Sequence, residues 1–287
     1  MSHSATLRNE ASRAHRRKRR ARLRRFWLGK AARRRLRRAF ERAPLPAQVL
    51  FGLSAALLLW LLFNWIYQVV RKPSELFFPV SGTLYKTPTE TWHQYAPLFE
   101  KDSTRIMTPE FLAALAQVEG SGNPVVRTYW RWSWSFRPFE VYRPASSAVG
   151  MYQITDGNFA EARRYCIHDH RVVQDGLWSD WHSCWFNSLY TRVIPAHAVE
   201  LTAAYLDYTV AAVLERQGMR VATLQQAQEL AAVIHLCGAG AGNAYAARGL
   251  KLLDAEHCGD HDVRAYIARV NAMQRVFKAL AAGHETM

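Results

Sequence analysis

Between Arg42 and Arg71 the sequence contains no Asp, Glu, Lys or Arg. A gap of that length excludes a solvated surface segment, and the residues filling it are apolar, from Val49 through Leu57-Leu58-Leu59-Trp60-Leu61-Leu62-Phe63 to Val70. About 20 apolar residues suffice to cross a bilayer core, so 47–70 reads as a transmembrane helix. Trp65 and Tyr67 sit near one end of it, where amphipathic rings favour the membrane–water interface.

Acidic residues are equally scarce before this run. Residues 1–42 hold 17 of the 38 Lys and Arg but only Glu10 and Glu41 as acids, so this arm alone accounts for the net charge of +15. The remainder is formally neutral, so the pI near 10.0 says nothing about the ligands of the larger part. A cleaved signal peptide would show a shorter basic region and a small-residue cleavage site, and Asn64-Trp65-Ile66-Tyr67 offers none. The expectation is an uncleaved inner-membrane anchor. Basic residues favour the cytoplasmic side, which places 1–42 inside as a basic cytoplasmic arm and 72–287 in the periplasm. Clustered Arg rewards contact with anionic lipid or nucleic acid; the preferred reading is that the arm sets topology and stays solvated, without a nucleic-acid partner.

Cysteine is sparse too. There are four, Cys166, Cys184, Cys237 and Cys258, all beyond the apolar run. An even number in a part read as lying in an oxidising compartment suggests disulfides, and the sequential pairing Cys166–Cys184 and Cys237–Cys258 is favoured among the three connectivities. His168, His170 and His182 near the first pair, and His257 and His261 near the second, leave a zinc site as the alternative. Neither cluster has CxxC or HExxH spacing, so no metal and no cofactor are expected.

Alternating strand patterns and internal repeats are also missing, while apolar spacing of three and four dominates. The fold class is therefore mainly α. Residues 71–104, rich in Pro, Thr and Ser, read as a stalk or linker packed partly on the domain, and 105–287 as a single domain large enough to bury a core. Helices are expected from Thr108 to about Gly120, near Asp156–Tyr165, and over 195–217, 222–236 and 261–282. Residues 125–145 read as an irregular loop or short hairpin, with Tyr129, Trp130, Trp132, Trp134, Phe136, Phe139 and Tyr142 interleaved with four Arg.

Three local features, and a Tyr-Ile pair after them, carry chemistry. Glu119 closes the first helix of the domain, which Thr108 caps and Pro109 opens, and Asn123-Pro124 follows. Ala148-Val149-Gly150-Met151-Tyr152-Gln153-Ile154-Thr155 comes next, then Ile234-His235-Leu236-Cys237-Gly238 and Tyr266-Ile267. Together these resemble the catalytic domain of the soluble lytic transglycosylase (SLT domain) family, which has a goose-type lysozyme-like fold. Glu119 with Asn123-Pro124 matches that family's helix-ending Glu and Asn-Pro, with Gly120 where a Ser usually follows. Gly150-Met151-Tyr152-Gln153 is similar to its Gly-Leu-Met-Gln. Residues 234–238 stand where it has Ala-Tyr-Asn-Ala-Gly, with only the Gly retained, and Tyr266-Ile267 fits its Tyr-Val pair.

The resemblance spans about 105–275. It implies Glu119 as catalytic acid and base, with Ser147, Met151, Tyr152, Gln153 and Tyr266 binding substrate. Gln153 would position the N-acetyl group or Glu119, and Met151 is equally at home as plain core. A proton donor has to keep its proton until the leaving oxygen departs, and the negative end of a helix dipole is a setting that disfavours the carboxylate. Nearby aromatics of 129–142 are expected to desolvate it further.

The implied activity is cleavage of the β-1,4 bond between N-acetylmuramic acid and N-acetylglucosamine in peptidoglycan, closing a 1,6-anhydro ring without water. Glu140, Asp156 and Glu161 are the candidates for a second carboxylate, which would make a hydrolytic muramidase instead. A non-catalytic peptidoglycan-binding or assembly protein is the third reading. Wall turnover and service to a conjugation or secretion apparatus are both compatible with an anchored enzyme.

Overall fold

The computed structural model describes residues 32–283, apart from Arg33, Leu36, Phe78, Trp181, His182 and Arg220. The chain divides into two compact units, 1–64 and 65–287. Helix α1 runs Leu45–Arg71 and is long and apolar enough to cross a membrane. On it Leu50, Leu53, Leu57, Leu58, Leu62 and Phe63 are all at least half exposed.

The larger unit is mainly helical. After α1 come two short 3-10 turns, Pro73–Phe77 and Ser81–Thr83, and then α2, Pro88–Lys101. Thr87 starts α2 with a reciprocal cap: its hydroxyl accepts from Glu90 N, and Glu90 Oε2 accepts from Thr87 N at 2.7 Å. Tyr95 and Phe99 from this helix are buried in the core, and Trp92 meets Phe277 at 5.8 Å between ring centres. The second half of the stretch read as a stalk is thus a helix of the domain. Its polar opening and internal Pro97 hide the Trp92, Tyr95 and Phe99 stripe from a periodicity reading.

Helix α3, Pro109–Gly120, is the centre of the core. Phe111 through Ala116 are buried in succession, so the helix is enclosed on all sides. It packs most extensively on α8, Val263–Ala281, whose buried Val263, Tyr266, Ile267, Val270, Gln274 and Phe277 follow the spacing of three and four. Around this pair lie α4, Asp156–Ala162; α5, Pro195–Arg216; α6, Leu224–Cys237; and α7, Ala239–Ala247. Small side chains allow α7 close to α6: a Cβ on Gly242 would meet Ile234 Cγ1 at 2.4 Å.

Among the described residues three antiparallel hairpins decorate the helices: β1–β2 (Trp130–Trp132 with Tyr142–Pro144), β3–β4 (Tyr165–His168 with Arg171–Gln174) and β5–β6 (His257–Cys258 with His261–Asp262). The cysteines pair sequentially at disulfide distance, Cys166 with Cys184 and Cys237 with Cys258, with Cα separations of 5.4 and 5.5 Å. The second pair ties the end of α6 to the β5–β6 hairpin.

At the end of α2, Asp102 is buried (2 % exposed) near Glu200, with Lys101 Nζ at 3.4 Å. Burial above all, and then the Glu200 charge, raise its pKa to about 6, against the opposing pull of Lys101 and His170. A raised carboxyl binds its proton more tightly folded than unfolded, so the fold gains stability from it below pH about 4 and loses that gain as pH rises towards about 6. Thermal unfolding should therefore show Asp102→Asn melting higher than wild type at pH 7, with the gap closing below pH 4. An unchanged gap across that range would contradict the assignment.

Candidate active site

Glu119 sits in the last turn of α3, held there by the way the helix ends. Ser121 takes the left-handed conformation (φ 48°) and its N–H donates back to Gln117 O at 3.0 Å. Asn123 then anchors the turn, accepting from Val125 N at 2.9 Å and donating to Ser81 O at 2.6 Å. The Asn-Pro pair after the Glu is thus a structural brace for the helix end.

Gly120 joins this end to the second motif. A Cβ there would lie 2.8 Å from Met151 O and 2.9 Å from Met151 Cα, so α3 abuts the backbone of 148–155 directly. That segment is a tight loop closed by a reciprocal bridge, Val149 N to Ile154 O at 3.1 Å and Ile154 N to Val149 O at 3.0 Å. Inside it Gln153 has φ 47°, a conformation that non-glycine residues rarely hold without a reason, and its Nε2 donates to Gly150 O at 2.8 Å. Gly120→Ala should push backbone against backbone, costing about 1–3 kcal/mol as overpacking typically does. A lowered melting temperature together with lowered activity would be the expected signature.

A cleft of about 400 Å³ opens beside Glu119, lined also by Gln153, His235, Tyr266, Arg269 and His261. Tyr266 Oη donates to Glu119 Oε1 at 2.5 Å, and His235 Nε2 lies 3.7 Å from the same oxygen. Burial, and then the Glu119 charge, drive the Tyr266 phenol well above its ordinary value, so it remains a donor. Both contacts fall on Oε1. Among the described residues Oε2 keeps no protein partner and is the oxygen open to a ligand.

The sequence-derived candidates divide accordingly. Glu119, Gln153 and Tyr266 share the cleft, although Tyr266 is 147 residues away in the chain. Met151 and Tyr152 are fully buried, and Tyr152 Oη donates to Leu112 O at 3.1 Å, so their side chains present no surface to a ligand and support α3 from beneath. Ser147 faces elsewhere: its Oγ accepts from Asp156 N at 3.2 Å, while its neighbour Ser146 lines the cleft.

The aromatics of 129–142 are likewise absent from the described cleft lining. Thr128 and Arg269, which also line the cleft, belong to no motif. Arg269 had one usable signal, its place three residues after Tyr266 on the same helix.

Glu119 is the one acid among the described residues lining this cleft. Glu140 is paired with Arg71 and Arg137, Asp156 with Arg192 at 2.8 Å, and Glu161 with Arg164 and the Tyr165 hydroxyl. None of the three lines it. No group of three or more His, Cys, Asp or Glu among the described residues is placed to hold a metal ion; His182 of the zinc alternative lies outside them. Comparison with models of known protein families finds no match, and comparison with curated proteins finds none either.

Proposed function

We propose that this chain is a membrane-anchored lytic transglycosylase of lysozyme-like fold, cleaving the MurNAc-β-1,4-GlcNAc bond of peptidoglycan. The observation that carries the reading is a lone carboxylate, Glu119, in a cleft shared with Gln153 and Tyr266 from two of the other motifs. Most glycosidases that use water carry a second carboxylate to activate it or to act as nucleophile, whereas substrate-assisted enzymes manage with one. The single acid therefore favours a substrate-assisted route, which the family resemblance completes with the muramic 6-hydroxyl in place of water.

In this reading Glu119, protonated on Oε2, delivers its proton to the glycosidic oxygen as the C–O bond breaks. The substrate's own 2-acetamido oxygen takes up the positive charge at the anomeric carbon. Glu119, now a carboxylate, removes the proton from the muramic 6-hydroxyl as that oxygen attacks the anomeric carbon, displacing the acetamido oxygen and closing the 1,6-anhydro ring. The acid is regenerated and no water is consumed. Tyr266 fixes the Glu119 rotamer and offsets the charge that develops on it, through a hydrogen bond to an ionised group, worth about 1.5–3 kcal/mol. Tyr266→Phe should accordingly lose about 10–100-fold in kcat with KM little changed, measured on purified sacculi. An unaltered kcat would remove Tyr266 from the machinery.

The same proposal places the arm in the cytoplasm, α1 across the inner membrane and the cleft in the periplasm, where the glycan lies. The support is the charge asymmetry on the two sides of the apolar run and the cysteine pairing. Such an enzyme suits general turnover or the opening of a gap for a secretion or conjugation apparatus. His235, where the family motif has Tyr, is the observation favouring a second reading, a non-catalytic glycan-binding protein. Product analysis separates the two.

A further inference from the structure

The aromatic hairpin lies away from the cleft, and its surroundings are specific. Trp134 and Phe136, at the turn between β1 and β2, are fully exposed, and Tyr129 and Trp132 are 72 % and 65 % exposed. Four large rings bare to water are costly unless something apolar covers them. The far limb of the same hairpin is clamped to the last turns of α1. Gln68 Nε2 donates to Phe139 O at 2.7 Å, Tyr67 stacks on Phe139 at 5.4 Å, and Arg71 meets Glu140 at 3.3 Å.

The base of the hairpin is fixed through Glu75, which accepts from Trp130 Nε1 and Arg127 Nε at 2.9 Å each. The chain just after α1 adds further bare apolar groups, Leu76, Phe77 and Val80. Where the end of α1 meets the hairpin, a small cavity of about 100 Å³ is lined by Arg71, Lys72 and Arg143 with Gln68 and Ser147. Asp156 also borders it, its charge offset by Arg192 at 2.8 Å.

From this arrangement we infer that the 129–143 hairpin and the 71–80 segment form a collar seated in the headgroup layer of the membrane, with the Arg71, Lys72 and Arg143 cavity taking an anionic phospholipid headgroup. The inference rests on reading α1 as a membrane span. If α1 spans, its final turns lie at the interface, and whatever is clamped to Tyr67, Gln68 and Arg71 lies there too. The composition fits that depth: Trp, Tyr and Phe interleaved with Arg131, Arg137 and Arg143 is what an interface rewards, rings at the acyl boundary and cations among phosphates. The collar would hold the cleft at a set height above the bilayer, so that the enzyme acts on glycan nearest the membrane.

The test uses the full chain in vesicles of phosphatidylethanolamine and phosphatidylglycerol, with a benzophenone amino acid placed singly at Leu58, Phe136 or Val221. Val221 is 91 % exposed, apolar and outside the collar. After irradiation, mass spectrometry should find lipid adducts from Leu58 and Phe136 and none from Val221. The phosphatidylglycerol share among the Phe136 adducts should exceed its share in the vesicle. Adducts at Leu58 without any at Phe136 would overturn the collar and leave the span standing. None at either position would overturn the span and the collar with it. Adducts at Val221 as abundant as at Phe136 would overturn the collar, since exposure alone would then suffice. A phosphatidylglycerol share equal to that of the vesicle would overturn the anionic-headgroup site.

Discussion

Glu119→Gln should lower turnover of purified sacculi by about 10²–10⁴-fold, the usual contribution of a positioned acid–base group. The melting temperature should stay near that of wild type. Gln keeps the size of the side chain, and its carbonyl can still accept from Tyr266 Oη, so the packing at the end of α3 has no reason to change. What it lacks is a proton to give at Oε2. The KM should be little altered, because the binding surface of Gln153, Arg269 and the cleft walls survives. Full activity in a folded variant would remove Glu119 from the mechanism, and with it the single-acid argument.

The largest effect on stability is expected at Glu75, which no motif singles out. Its carboxylate is fully buried, with Arg127 Nη2 at 2.8 Å and Lys72 Nζ at 3.6 Å. Lys72 in turn reaches Thr128 Oγ1 at 3.2 Å and Ser146 O at 3.1 Å. Burial depresses the Lys72 pKa most, and the Glu75 charge opposes that shift.

Removing one partner of a buried pair leaves the others as uncompensated buried charges, which costs about 3–5 kcal/mol. Glu75→Ala should therefore lower the melting temperature of the solubilised full chain by about 10 °C, at about 2–4 °C per kcal/mol for a domain of this size. Thr128 and Ser146 also line the cleft, so activity should fall alongside. A change within a degree or two would mean that the cluster is hydrated and contributes little.

Which parts could be read in advance follows from where the determining physics lies. Charge-free length marks α1 because spanning depends on composition alone, and Thr108-Pro109 marks the start of α3 because caps are local. Helix α7 escapes notice: AGAGNAYAA is chosen for close approach to α6, and small residues carry no amphipathic signal.

In the site, the order of motifs puts Glu119 and Gln153 together because Gly120 abuts the Met151 backbone, a contact that local sequence can suggest. The inward turn of Met151 and Tyr152 depends on the left-handed turn at Gln153 and the bridge behind it, which spacing does not reveal. The aromatic hairpin is the clearest case of ambiguity. Seven rings in a short stretch suit a sugar cleft or a small satellite core under a loop equally, and what ties the hairpin to the end of α1 is a contact between Gln68 and Phe139 O, 71 residues apart.

Mass spectrometry of sacculi digested by the full chain addresses the central claim most directly, because each kind of chemistry leaves a different end on the glycan. Glu119 acting alone predicts 1,6-anhydromuramic ends, absent from digests with Glu119→Gln. Reducing ends formed with uptake of water, or intact glycan with the protein still bound to it, would contradict it.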